Sequence, residues 1–228
     1  MVDLVALRDA NAKRWSMAKP TRSCINVARS LISPAAKARY QSVAAQTGVP
    51  WFFIAVIHER ESSQDWSASL AQGDPWDKVS VHVPVGRGPF KSWEEAAVDA
   101  LVDCPPYAAR NQDWSTGAML TLLEQYNGLG YAARGLPSPY LWAGTDQYKS
   151  GKFTRDGFFS PAIVDQQLGC VSLLTSMMLQ DPSIDIAPIP PQVEARRTPP
   201  SAPAPTPAPI AAFLQAILLF FKSFKRGK

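Results

Sequence analysis

Apolar positions recur at helical spacing through most of the first 180 residues. Leu4, Leu7 and Trp15 space a helix over 3–17. Ser33-Pro34 places a cap residue before a proline at the first helical position, and this helix stops near Gly48. Pro50 opens the next, PWFFIAVIHERESS, apolar nearly all round in its first half and so expected to be buried. In the Gly/Pro-bracketed segment 66–90, the alternation in KVSVHVPV predicts a short hairpin. Ser92 and Glu95 form a capping-box pattern before a helix ending near Cys104. Another helix covers about 115–127 and stops at Gly128. Residues 128–160 read as ordered loops, and Ser160-Pro161 starts a last helix ending before Pro182. The expectation is a mainly α bundle of about six helices, interrupted once by a hairpin.

The pattern then changes. Nine of the 24 residues over 186–209 are Pro, which predicts an extended linker that builds no core. The segment 210–228, IAAFLQAILLFFKSFKRGK, follows. Its apolar part would make a helix of roughly 18–22 Å, short of the ~30 Å hydrocarbon core. Lys222, Lys225, Arg226 and Lys228 behind it suit an interfacial anchor on anionic membrane or outer-membrane lipid. The expected organisation is a domain over 1–185, a linker over 186–209 and a hydrophobic, basic-ended helix over 210–228.

Charge follows the same division. Residues 1–185 carry 17 Lys+Arg and 18 Asp+Glu, a net of −1; residues 186–228 carry six and one, a net of +5. The basic excess lies in the tail, which argues against a nucleic-acid-binding fold. The first 15 residues hold no unbroken apolar run, because Asp3, Arg8 and Asp9 interrupt it. Synthesis in the cytoplasm without a signal peptide is expected. Cys24, Cys104 and Cys170 are expected as free thiols, and neither a metal site nor a cofactor is predicted.

Candidate chemistry concentrates at the end of the apolar helix: His58, Glu59, Arg60, Glu61 and Asp65. The partial negative charge of a helix C-terminus and apolar walls both disfavour an ionised carboxylate there. A general acid working near neutral pH needs that raised pKa, and Glu61 is the leading candidate. Glu59 sits about 200° away around the helix and faces elsewhere. A plainer reading makes the cluster a solvated, ion-paired helix end. His58-Glu59 also begins a zinc-binding H-E-x-x-H pattern, but position 62 is Ser.

Glu61-Ser62 at a helix end resembles the catalytic Glu-Ser of soluble lytic transglycosylases, and Tyr126-Asn127-Gly128 resembles their Y-N-x-G segment. The longer run HERESSQDWSASLAQGDP…VSVHVPVGRGPF…YNGLGY…SPYLWAGTDQY is similar to phage endolysins and related lysozyme-like proteins. The resemblance covers about residues 35–180 and implies an α+β lysozyme-like fold. It departs from the transglycosylase pattern after Glu61, where G-x-x-G-L-M-Q is absent. What the resemblance implies is an enzyme of bacterial peptidoglycan acting at the cell wall. Glu61 would protonate the glycosidic oxygen, with Asp74 as leading second carboxylate for hydrolysis; Asp65 and Asp77 are weaker candidates. Without a second carboxylate, Glu61 would serve as acid and then base in a transglycosylase, assisted by Tyr126. Trp66, Trp76, Trp114, Tyr131, Tyr140 and Trp142 are candidates for a saccharide groove, about half of them expected to line it. Ser62, His82, Arg87 and Asn127 are further substrate-binding candidates. Asp74, Tyr126 and Asn127 also have plain readings, as a turn residue, a rim tyrosine and a helix-end residue. Two other classes remain open: an inactive glycan-binding or scaffold module, and a membrane-active toxin driven by 210–228.

Overall fold

A computed structural model describes residues 1–71, 73–155 and 157–186. Apart from Ile186, the expected linker over 186–209 and the helix over 210–228 lie outside the described residues. The described chain is mainly helical. Its helices are α1 (Leu4–Met17), α2 (Ile25–Leu31), α3 (Pro34–Thr47), α4 (Trp51–Ser62), α5 (Trp93–Val102), α6 (Thr116–Tyr126), α7 (Pro139–Trp142) and α8 (Cys170–Gln180). One antiparallel sheet pairs β1 (Lys152–Arg155) with β2 (Phe158–Ser160).

Local chemistry accounts for the helix ends. Asp3 caps α1 by accepting from the Val5 and Ala6 amides at 2.9 and 3.1 Å. Gly48 closes α3 at φ +73°, a conformation costly for a residue with a Cβ. Ser92 Oγ accepts from the Glu95 amide at 3.2 Å, and Glu95 Oε2 accepts from the Lys91 amide at 2.7 Å. The reciprocal bond of the capping box thus reaches one residue further back than the usual pattern.

α4 is the central rod. Phe52 through Glu59 are all buried, because α2, α3 and α8 pack around it. α1 packs on α6, α3 on α5 and α7 on α8. This arrangement explains the all-round apolarity of α4: every face meets another element, so no polar stripe is needed.

Three expectations are corrected. The alternating stretch 78–85 is not a hairpin. Asp74 Oδ2 accepts from the consecutive amides of Val81 and His82 at 2.8 and 2.9 Å, which curls the backbone. Pro84 has no amide to give a ladder. The hairpin lies instead at 152–160, where 128–160 reads as loops. Its sequence signal is Asp156-Gly157 between aromatic-rich flanks, a strong turn dipeptide. The last helix begins at Cys170, not Ser160. Residues 161–169 are drawn out of helix by other partners: the Ile163 carbonyl accepts from Gly151 N at 2.8 Å, and buried Asp165 holds Arg60 and Lys152. A Cβ on Gly169 would stand 2.4 Å from the Leu141 carbonyl oxygen, so only glycine fits where α8 starts against α7. α2 and α7 are additional helices, both too short for their periodicity to stand out.

Candidate active site

Glu61 occupies the last turn of α4. The chain leaves that turn through Ser63 (φ 54°) and Gln64 (φ 63°), two successive non-glycine residues in the left-handed region. Ser63 N donates to Glu59 O at 2.9 Å and Gln64 N to His58 O at 3.2 Å, so the helix closes on a left-handed residue with its last carbonyls satisfied. Such backbone strain, of order 1–3 kcal/mol per residue, persists only where surrounding bonds over-determine it. Here Gln64 Nε2 donates to Glu59 Oε2 at 2.7 Å, and Gln167 Nε2 donates to the Glu59 and Arg60 carbonyls at 3.0 and 2.9 Å.

One phenol bonds the Glu61 carboxyl and a second lies near enough to feel its charge. Tyr140 OH donates to Oε1 at 2.7 Å. Burial pushes the Glu61 pKa up, against the opposing pull of the Tyr140 bond and the Arg60 charge. The carboxyl is crowded by protein, yet the residue keeps a partial opening to solvent. The second phenol is Tyr126. Its hydroxyl is buried and has no hydrogen-bond partner among the described residues. Burial raises its pKa, and the nearby Glu61 charge adds to that. Buried polar groups are satisfied in the great majority of cases, so this orphan is a point of stored cost beside the acid.

The support around this pair comes from distant parts of the chain. Ser138 Oγ accepts from Tyr140 N at 3.2 Å and caps α7, while Asn127 Nδ2 donates to the same oxygen at 3.4 Å. Asn127 therefore positions the helix that carries Tyr140. The Arg60 side chain is buried, 4.6 Å over the Tyr140 ring; its Nη1 donates to the Leu168 carbonyl at 3.1 Å and its Nη2 meets Asp165 Oδ2 at 3.3 Å. The Cys170 thiol is buried nearby and pushed up to about 12. It is a packing group, not a nucleophile.

Other sequence candidates have different places. Asp74 accepts from Val81 N, His82 N and His82 Nδ1, the last at 2.6 Å. These bonds hold its carboxyl below the usual aspartate range. Both oxygens anchor the 80–88 loop, and no bond joins Asp74 to Glu61. Gly73, one residue before Asp74, runs near the Glu61 backbone: a Cβ on it would lie 3.6 Å from the Glu61 main-chain oxygen. Ser62 Oγ donates to the His58 carbonyl at 3.0 Å within its own helix. Arg87 is tied to Asp99 through both Nε and Nη2, so it clamps the loop to α5. His82 is exposed. Asp65 turns its carboxylate to Ser67, and Asp77 is exposed.

Of the six candidate groove aromatics, Tyr131, Tyr140 and Trp142 are buried, while Trp66, Trp76 and Trp114 are half-buried. Trp142 and Tyr131 are 1% and 5% exposed and so are closed to a sugar. The Tyr131 hydroxyl accepts from Phe153 N at 3.0 Å and docks the hairpin. Trp66 stacks on Tyr40 at 5.3 Å, and the Arg39 guanidinium covers its ring at 4.0 Å. That cluster surrounds His58, whose Nε2 lies 3.1 Å from the Asp65 carbonyl and whose Nδ1 lies 2.9 Å from Tyr40 OH. A carbonyl only accepts, so Nε2 carries the proton and Tyr40 donates to Nδ1. Burial lowers His58 to about 4, which makes it a neutral structural histidine.

A cavity of about 770 Å³ lies away from Glu61, between α1 and residues 129–137. It is lined in part by Glu124, Asn11 and Arg14. Glu124 is also buried with a raised pKa, but Asn11 Nδ2 holds its Oε2 at 3.1 Å and no phenol is bonded to it. Glu61 is the better acid because a phenol is already aimed at its carboxyl and a second stands unpartnered beside it. Among the described residues, no group of three His, Cys, Asp or Glu side chains could hold a metal ion.

Replacing Tyr126 by Phe tests the orphaned hydroxyl. Removing an unsatisfied buried polar atom is expected to stabilise the fold by about 1 kcal/mol in urea denaturation. A loss of stability would mean that the hydroxyl has a structural partner. Neither family models, curated proteins nor solved structures give a match to this chain.

Proposed function

We propose that the chain is a muralytic glycosidase that cleaves the β-1,4 glycan strands of bacterial peptidoglycan, with Glu61 as general acid. The observation that carries this reading is Glu61, a half-buried residue whose carboxyl has its pKa raised by burial, is bonded by Tyr140 and lies near the unpartnered Tyr126 hydroxyl. A protonated carboxyl at neutral pH can donate to a bridging sugar oxygen. The α+β lysozyme-like plan is part of the same reading. So is action at the cell wall, with the basic 210–228 segment on anionic lipid and no role for nucleic acid.

A second reading, a lytic transglycosylase, is favoured by the engagement of both Asp74 oxygens in the loop. Glu61 would then act as acid and afterwards as base, and the sugar's own 6-hydroxyl would close an anhydro ring. Mass spectrometry of the products of purified peptidoglycan separates the readings. Reducing ends that have gained water indicate a hydrolase, and anhydro ends a transglycosylase. Glycan that is bound but not released would leave only a binding module.

Glu124→Gln serves as the internal control. A buried carboxyl with a raised pKa favours its neutral form, so its stabilising contribution is present at low pH and is lost as pH rises through the folded-state value. The variant is therefore expected to exceed wild type in stability at pH 7. The gap should close as pH falls below the ordinary glutamate value of about 4.3. Cleavage should persist; its loss would transfer the catalytic role to the α1-side cavity.

A further inference from the structure

The cavity between α1 and residues 129–137 has no part in the chemistry proposed for Glu61, yet it has the makings of a ligand site. Its volume of about 770 Å³ lies in the range that holds small molecules. Leu7, Ala10, Leu129, Ala133, Leu136 and Pro137 give it apolar walls. Ala10, Ala133 and Leu136 are themselves exposed, so the cavity opens to solvent.

Its buried polar groups are few and come together in one place. Glu124 and Asn11 are 2% and 3% exposed, and both line the cavity. Asn11 Nδ2 donates to Glu124 Oε2 at 3.1 Å and to Thr121 Oγ1 at 3.3 Å. Those bonds use the amide nitrogen and one carboxyl oxygen. Among the described residues, Glu124 Oε1 and Asn11 Oδ1 receive no hydrogen bond. Buried acceptors are satisfied in the great majority of cases. Two acceptors left over on the wall of one cavity call for N–H groups from outside the chain.

Charge narrows the choice of donor. Burial raises the Glu124 pKa, against the opposing pull of the Asn11 bond and the Arg14 charge, so an ionised carboxylate there lacks a close counter-charge. Arg14 also lines the cavity, but no ion pair joins it to Glu124, and its guanidinium lies 5.6 Å from the Trp142 ring centroid. Asp3, which is exposed, adds a second carboxylate to the lining. A primary ammonium brings three donors and the missing positive charge, and charge-assisted bonds are the stronger kind. An anion would instead meet two carboxyl groups.

We propose that this cavity binds a primary amine with an apolar body, its ammonium bonded to Glu124 and Asn11 and its hydrocarbon against Leu7, Leu129 and Leu136. The site stands apart from Glu61, and glycan cleavage plays no part in its test. Titration calorimetry of the full chain near neutral pH would compare phenylbutylamine with phenylbutanol and phenylbutyrate, which share one body and differ in head group. The amine is expected to bind at least about tenfold tighter than either, the scale of one added hydrogen bond to a charged group. Glu124→Gln keeps the shape of the side chain and is expected to erase that preference. Ala10→Phe, at an exposed position on the wall, is expected to weaken amine binding by a similar factor by filling the space. Equal affinity for the three ligands, tighter binding of the carboxylate or binding of none would overturn the proposal. So would a preference that survives Glu124→Gln, or amine binding unchanged in Ala10→Phe.

Discussion

Glu61→Gln is expected to lower glycan cleavage by ~10²–10⁴-fold, the range that a positioned general acid contributes. The substitution keeps the shape and an acceptor oxygen for Tyr140 OH, so the fold should be unaffected. It removes the proton that the leaving sugar oxygen requires. The fold should also gain at high pH, because the wild-type carboxyl is neutral in preference and pays a burial cost when ionised. Loss of cleavage together with equal or greater stability at pH 8 is the expected pair of results, read by muropeptide release and by urea denaturation. Unchanged cleavage would end the assignment.

The second large effect is on stability. Arg60→Met is expected to destabilise the chain by about 3–5 kcal/mol, the range for removing one partner of a buried ion pair. The Arg60 and Asp165 side chains are only 6% and 3% exposed. Without the guanidinium, Asp165 keeps Lys152 at 2.8 Å, but that lysine is itself 41% exposed and screened by solvent. The Leu168 carbonyl would lose its donor, and Tyr140 its cationic neighbour. The loss should shrink in acid: Asp165 is held below the usual aspartate range in the fold, so its contribution is present above the unfolded value and fades as pH falls through the folded one. A midpoint shift equivalent to less than 1 kcal/mol at pH 7 would contradict this account of Arg60.

The sequence makes the centre of the molecule legible and its edges much less so. α4 and its terminal Glu61 stand out because an apolar run that ends in charge is rare and has few explanations. The capped helices α3 and α5 stand out through Ser33-Pro34, Gly48 and Ser92. The hairpin is misplaced because alternation alone does not distinguish a strand from a pinned loop with its apolar side outward. The information that decides it, three bonds to Asp74, is made with residues seven and eight positions away. The Asp156-Gly157 turn signal is local and points to the right place. Tyr140 is visible as a loop aromatic, but its bond to Glu61 spans 79 positions and has no local signature. Trp142, two residues further on, is equally aromatic and entirely buried. Which of these aromatics meets the carboxyl is thus decided only by packing that the sequence does not display.

The central claim is that burial holds the Glu61 carboxyl above the ordinary glutamate range. Carbon-13 NMR titration of the chain with labelled glutamate side chains measures this directly, with the Glu61→Gln variant identifying the resonance. The account predicts a Glu61 carboxyl that titrates clearly above the ordinary value of about 4.3. A resonance that titrates at or below that value would contradict it.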